Sequence, residues 1–230
     1  MKKIVVLTGA GISAESGIKT FRDADGLWEG HDVMQVASPE GWAADMELVL
    51  DFYNQRRAQL AEVKPNVAHQ ALAQLESKYE VVVITQNVDD LHERGGSNTI
   101  IHLHGELKKS RSVKNEQHIY DIDGDIVKGD LATDGGQLRP HIVWFGEAVP
   151  EIENAVEVVK DADIAIIIGT SMQVYPAAGL IQFAPKDCAI YYIDPKPHIS
   201  YELSQLPNLR VIEQAATKGV VDLVERLMKA

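Results

Sequence analysis

Short apolar runs punctuate the chain at Ile4–Leu7, Val81–Thr85, Ile100–Leu103, Ile142–Phe145, Ile164–Ile168, Ala189–Ile193 and Leu209–Ile212. Several are apolar at every position, as strands covered by helices on both faces must be. Between them, Ala68–Leu75, Ile152–Val159 and Val220–Met228 carry apolar residues three or four apart, which predicts amphipathic helices. Strands alternating with helices predict an α/β fold built on a parallel sheet with helices on both faces.

Two segments break the alternation. Residues 29–61 form a helical stretch between the first two strands. Residues 107–139 are polar and rich in Lys, Asp and Gly, and Asp123-Gly124, lying between Ile122 and Ile126, is a hairpin signal. Both read as insertions that pack together as a small second domain. Residues 1–28, 62–106 and 140–230 are left to the large one, with a ligand cleft expected at the junction.

Candidate chemistry gathers where the strands end. Gly9-Ala10-Gly11-Ile12-Ser13-Ala14-Glu15-Ser16-Gly17 follows the first run and continues through Phe21-Arg22 to Trp28. Glycines let a backbone turn tightly and approach a ligand. A helix opened by the next residues aims its N–H groups at a phosphate, so a dinucleotide is the first expectation. An ordinary strand-to-helix turn is the competing reading. A hydride-transferring dehydrogenase fits poorly, because no second strand ends in Asp or Glu about 20 residues on. Phe21 and Arg22 suggest instead a cofactor covered by a flap.

Gln86, Asn87 and Asp89 follow the strand ending at Thr85, at the edge where open α/β sheets bind ligands. They offer amides and a carboxylate to a ribose or carboxamide, or else cap the next helix. His102 and His104 share one face of their strand as read here. No further ligands at metal spacing accompany them; one of them can serve as a general base, since imidazole has its pKa near neutrality, and a satisfied structural histidine is the competing reading for each, favoured for His102. Gly105 then lets the chain turn beneath a substrate. Gly169-Thr170-Ser171 and Asp194 are two more small or polar strand ends suited to a phosphate or ribose.

Composition narrows the field. The 230-residue chain is 45% hydrophobic and has a net charge of −12, which argues against nonspecific binding to nucleic acid or anionic membranes. Cys188 is the single cysteine, so internal disulfides and a cysteine-built zinc site are excluded; it reads as a buried thiol. The first strand follows Lys2-Lys3 directly and no apolar run is long enough to span a membrane, so a cytoplasmic monomer is expected.

Taken in order, Gly-Ala-Gly-Ile-Ser with Phe21-Arg22, then Thr-Gln-Asn-Val-Asp, His-Gly, Phe-Gly-Glu and Gly-Thr-Ser resemble the sirtuins, NAD-consuming protein lysine deacylases. The resemblance covers nearly the whole chain and implies a Rossmann-like large domain with a small domain made from two insertions. It implies that NAD is a co-substrate. Gly9, Ala10, Gly11 and Ser13 then match the pyrophosphate side, with Phe21, Arg22 and Trp28 in the flap. Gln86, Asn87 and Asp89 match the ribose and carboxamide contacts. Gly169, Thr170, Ser171, Asp194 and Ala216 match the adenosine side, though Asp194 stands where the family commonly has Asn. His104 matches the general base and Asn87 a catalytic partner. Nicotinamide leaves an oxocarbenium-like ribose, an acyl-lysine oxygen attacks, and His104 removes a ribose hydroxyl proton. Val143, Phe145 and Gly146 match a segment that pairs with an acylated peptide by strand addition.

By spacing alone, Tyr53 and Arg56 are a half-buried tyrosine beside a surface arginine. The resemblance gives them another role: Tyr-x-x-Arg is similar to the class that removes succinyl, malonyl and glutaryl groups, with Ala37 leaving room for the longer chain. The family's small-domain cysteines are missing; Ser112 and Asn115 stand where the first pair would be, so no zinc is expected. The alternatives are a protein ADP-ribosyltransferase and an inactive NAD- or ADP-ribose-binding module.

Overall fold

The computed structural model describes residues 1–19 and 27–229. Phe21 and Arg22 lie outside the described residues. Along the chain, β1 (Lys3–Thr8) leads to a small ribbon of β2 (Leu27–Trp28) and β3 (His31–Asp32). Then come α1 (Val33–Val36), α2 (Pro39–Ala44), α3 (Met46–Glu62) and α4 (Val67–Gln74). After β4 (Glu80–Thr85), α5 (Leu91–Gly95) and β5 (Ile100–His102), the chain forms β6 (Gly105–Ser112), β7 (Ile119–Asp121) and β8 (Leu138–Ile142). It closes with α6 (Ile152–Lys160), β9 (Ile164–Ile168), β10 (Ala189–Ile193), α7 (Tyr201–Ser204), β11 (Leu209–Ile212) and α8 (Ala216–Lys229). The helix starts carry oxygen caps: Ser38 Oγ accepts from Gly41 N at 3.0 Å ahead of α2, and Asp45 Oδ1 accepts from Leu48 N at 2.9 Å ahead of α3.

Six strands form one parallel sheet in the order β11-β10-β9-β1-β4-β5. Successive residues face opposite cores. Val5, Leu7, Ile84 and Ile167 pack with α6 and the 3-10 segment Ala177–Phe183, whereas Ile4, Val6, Val83 and Ile166 pack with α4 and α8. Each fully buried side chain of this kind contributes roughly 1.5–3 kcal/mol, so both faces hold the sheet.

Three expectations are corrected. The run Ile142–Phe145 is not a strand: β8 ends at Ile142, and the chain turns so that Trp144 is buried. Asp123-Gly124 makes no hairpin. Here Arg57 Nη1 donates to Gly124 O at 3.2 Å, and the Asn54 amide takes both backbone groups of Ile126 at 2.9 and 3.0 Å, as a neighbouring strand would. The glycine loop opens no α-helix but two 3-10 turns, Ala10–Ile12 and Ala14–Ser16.

The second sheet, ordered β7-β6-β8, is antiparallel. Val36, Phe52, Tyr53 and Leu60 share one core with Leu107, Ile142 and Trp144. Arg57 Nε reinforces this contact by donating to Leu107 O at 2.8 Å. At the far end Asp134 accepts from Ser112 Oγ and Gly136 N, each at 2.8 Å, and faces His118 Nδ1 at 3.3 Å. Asn115 Oδ1 accepts from Gln117 N at 3.0 Å, so Ser112 and Asn115 are both engaged by protein groups.

Candidate active site

The register of the parallel sheet brings the candidate loops together. Thr8 pairs with both Thr85 and Ile168, and Ile168 pairs with Ile193. The segments starting at Gly9, Gln86, Gly169 and Asp194 therefore leave the sheet at one level and one edge. Thr85 also pairs with His102, which sets the level of the turn carrying His104.

Small residues are required here because two loops touch. Gly11 N donates to Gly169 O at 2.8 Å, and a β-carbon on Gly11 would lie 2.6 Å from the Gly169 α-carbon. Gly169 itself sits at φ +59°. Gly9, Ala10, Gly11 and Gly169 thus bring small residues together at this edge, with the N–H groups of Gly9, Gly11 and Gly169 donating to Ile168 O, Gly169 O and Ile193 O. Gln86 Nε2 donates to Thr170 Oγ1 at 3.1 Å, next to half-buried Ser171. Asp194 is buried and accepts from Lys196 N at 2.8 Å. Ala216 is buried at the start of α8, whose next residue donates to Glu15 from Thr217 N at 3.0 Å and Oγ1 at 2.6 Å. Sequence reasoning missed Glu15; its partner is 202 positions away, so no local pattern could reveal it.

Ser13, Asn87 and Asp89 form one buried cluster. Asn87 Nδ2 donates to Ser13 Oγ at 3.2 Å, and Ser13 Oγ donates to Asp89 Oδ2 at 3.0 Å. Asp89 Oδ1 also accepts from Leu91 N at 3.1 Å, so this carboxylate both caps the turn into α5 and joins the cluster. Burial pushes its pKa up to about 6, against the opposing pull of those hydrogen bonds. Thr8 and Thr85, also missed, support the cluster from beneath. Thr8 Oγ1 donates to Thr85 Oγ1 at 2.8 Å, Thr85 Oγ1 accepts from Asn87 N at 3.0 Å, and His92 Nε2 lies 3.0 Å from Thr8 Oγ1.

The two histidines part company. β5 ends at His102, and His104 sits in the following turn. Gly105 turns the chain at φ +82°, where a β-carbon would lie 2.0 Å from His141 O. His102 is engaged at both ring nitrogens: its Nδ1 is 3.2 Å from Asn87 O and its Nε2 2.7 Å from Glu93 Oε1. Burial alone would lower its pKa, but Glu93 overrides that and raises it. His104 Nδ1 lies 3.1 Å from Gln86 O. A carbonyl only accepts, so Nδ1 carries the proton and Nε2 keeps a lone pair. Burial lowers the His104 pKa, against the Gln86 hydrogen bond, and favours this neutral form.

Residues 9–176 match the Sir2 family. The chain belongs to the Sir2 family. It is similar to a protein named NAD-dependent protein deacylase in Helicobacter pylori strain ATCC 700392 / 26695, at 60% identity over 230 residues, covering 100% of this chain and 99% of that protein. A protein of the same name in Bacteroides thetaiotaomicron is 55% identical, with 100% of each chain covered. Among solved structures, a Sir2 homologue (S24A mutant) in complex with ADP-ribose superposes with a TM-score of 0.88 at 38% identity, covering 99% of this chain and 92% of that one. A Sir2 homologue–NAD complex gives 0.87 at 38%, covering 99% and 90%.

In this Sir2 chain the remaining candidates lie between the two insertions. Val143 N donates to His104 O, and Phe145 N to Ala37 O, both at 2.9 Å. The histidine turn, the segment after β8 and the end of α1 are thereby tied together. Phe145 and Gly146 are exposed, Gly146 at φ +89° with open space around it. Trp28 packs edge-on to Phe52 at 4.9 Å and to Tyr53 at 5.9 Å between ring centroids, on the α3 side of the site. Tyr53 is wholly buried, and its hydroxyl accepts from Trp144 Nε1 at 3.1 Å. Arg56 lies over the Phe52 ring at 4.8 Å. Its Nε and Nη1 are buried and have no hydrogen-bond partner among the described residues. Burial lowers the Arg56 pKa, partly offset by Glu29 and Asp51, and an arginine remains charged regardless.

Proposed function

We propose that this protein is an NAD-dependent protein lysine deacylase with a preference for acidic acyl groups. Bound NAD supplies a ribose activated by its bond to nicotinamide; with one acyl-lysine and one water consumed, the products are free lysine, nicotinamide and an O-acyl-ADP-ribose. On this reading Gly9, Ala10, Gly11 and Ser13 hold the pyrophosphate side. Gly169, Thr170, Ser171, Asp194 and Ala216 hold the adenosine side. Gln86, Asn87 and Asp89 orient the ribose and carboxamide, and Phe21, Arg22 and Trp28 are further cofactor-binding residues. Val143, Phe145 and Gly146 pair with the substrate backbone, giving affinity with little side-chain code. The large and small domains meet at this cleft.

The observation that carries the reading is the lone pair left on His104 Nε2 by the bond from Nδ1 to Gln86 O. It supports a general base that takes a ribose hydroxyl proton, a role worth roughly 10²–10⁴ in rate.

The acyl preference rests on Arg56. A half-buried guanidinium with two buried nitrogens that find no acceptor costs stability unless an anion meets them. A distal carboxylate on the acyl chain meets that need, and Arg presents the fork geometry for it. Such a charge-assisted contact contributes about 1.5–3 kcal/mol, or roughly 10- to 150-fold. Arg56→Met is expected to lower kcat/KM for a succinyl-lysine peptide by that factor while lowering it far less for the acetyl peptide. Equal losses on both peptides would reject the acidic-acyl role.

A further inference from the structure

We infer that Trp144 is a specificity-determining positioning residue: its indole N–H occupies the acceptor side of the Tyr53 hydroxyl and so aims the tyrosine proton at an acyl carboxylate beside Arg56. The inference rests on the acidic-acyl reading above and extends it to a residue outside the Tyr-x-x-Arg pair.

Donor chemistry decides the direction. An indole nitrogen only donates, whereas a phenol both donates and accepts. The 3.1 Å contact from Trp144 Nε1 therefore uses a lone pair of Tyr53 and leaves the phenolic proton unspent. No acceptor for that proton is found among the described residues. Burial raises the Tyr53 pKa, so the proton stays on the oxygen. Tyr53 and Arg56 lie three residues apart on α3, the spacing of neighbours on a helix surface. A carboxylate reaching this place finds one neutral and one charged donor.

Trp144 is itself held from two directions. The Arg139 guanidinium lies 3.2 Å from the centre of its ring, and Glu147 Oε2 accepts from its backbone N–H at 2.8 Å. Glu147 also takes Arg139 Nη1 at 2.6 Å and Arg111 Nη2 at 3.1 Å. This clamp fixes the indole in register with Tyr53. An undirected phenol would spend part of its time pointing its proton elsewhere.

The test is a double-substitution cycle read as the ratio of succinyl to acetyl kcat/KM. Trp144→Phe keeps a ring on Arg139 and removes the N–H; it is expected to lower the ratio about 3- to 10-fold, through KM more than kcat. In a Tyr53→Phe background the same change is expected to move the ratio no further. Replacing the Trp144 indole by a benzothiophene, which keeps the bicyclic shape, is the second variant should Trp144→Phe not fold. An unchanged ratio in Trp144→Phe, or an additional drop in the double variant, overturns the inference while leaving Arg56 in place. A ratio insensitive to Arg56→Met removes the acyl reading and the inference together.

Discussion

His104 has two nitrogens with different tasks, and the hydrogen bond at one decides the other. Its Nδ1 is committed to Gln86 O at 3.1 Å, so the proposed base role depends on Nε2 staying unprotonated. Burial holds the His104 pKa below its ordinary value of 6.5, and raises that of Asp89 to about 6. Both groups therefore lose their protons before neutrality, and both regain them as pH falls. The expected kcat/KM profile is flat above pH 7 and declines below about 6.5. A profile still climbing through pH 8 would mean that another group supplies the base. At this scale much of the site was legible: Ser13, Asn87, Asp89 and His104 announce themselves as polar residues just past apolar runs. The Thr8–Thr85 pair did not, because threonine inside a strand looks like ordinary β-branched packing.

Elements turn residue geometry into position, and the junction of β5 with β6 is the tightest case. Gly105 adopts φ +82° with His141 O 2.0 Å from where a β-carbon would stand. Gly105→Ala is expected to destabilise the protein by more than about 1 kcal/mol, since both the backbone region and the space are denied to alanine. Thermal unfolding monitored by circular dichroism checks this, and an unchanged midpoint would contradict it. The strands Ile164–Ile168 and Ala189–Ile193 were legible to the residue, because unbroken apolar runs between turn signals have few other uses, and the edge strand Leu209–Ile212 kept its bounds despite Arg210 and an exposed Val211. The run Ile142–Phe145 misled, because the strand stops at Ile142 and past it only Trp144 serves the small core while Phe145 is exposed. Trp144 is buried there with its backbone N–H on Glu147. Asp123-Gly124 misled for another reason: Asn54 and Arg57, far off in sequence, capture the neighbouring backbone. Local turn chemistry loses to such tertiary partners.

At the level of the whole molecule, a parallel sheet gathers its strand ends on one edge, and the two insertions pack against each other beside it. Thr8, Thr85, Ile168 and Ile193 stand in one register, so four loops scattered over the chain begin together. Glu15 locks the first of these loops to α8, the last helix, across 202 positions. Alternating strands and helices foretold the sheet, whereas the loop-to-helix clamp needs the folded chain to be seen. Among the described residues no helix is long and apolar enough to cross a membrane. The most direct test is to incubate the purified protein with NAD and a succinyl-lysine peptide, following all products by mass spectrometry, beside His104→Ala. Deacylated peptide, nicotinamide and O-succinyl-ADP-ribose should rise in equal amounts with the wild type and fall at least 100-fold with the variant. ADP-ribosylated peptide, intact NAD, or full turnover by His104→Ala would contradict the mechanism.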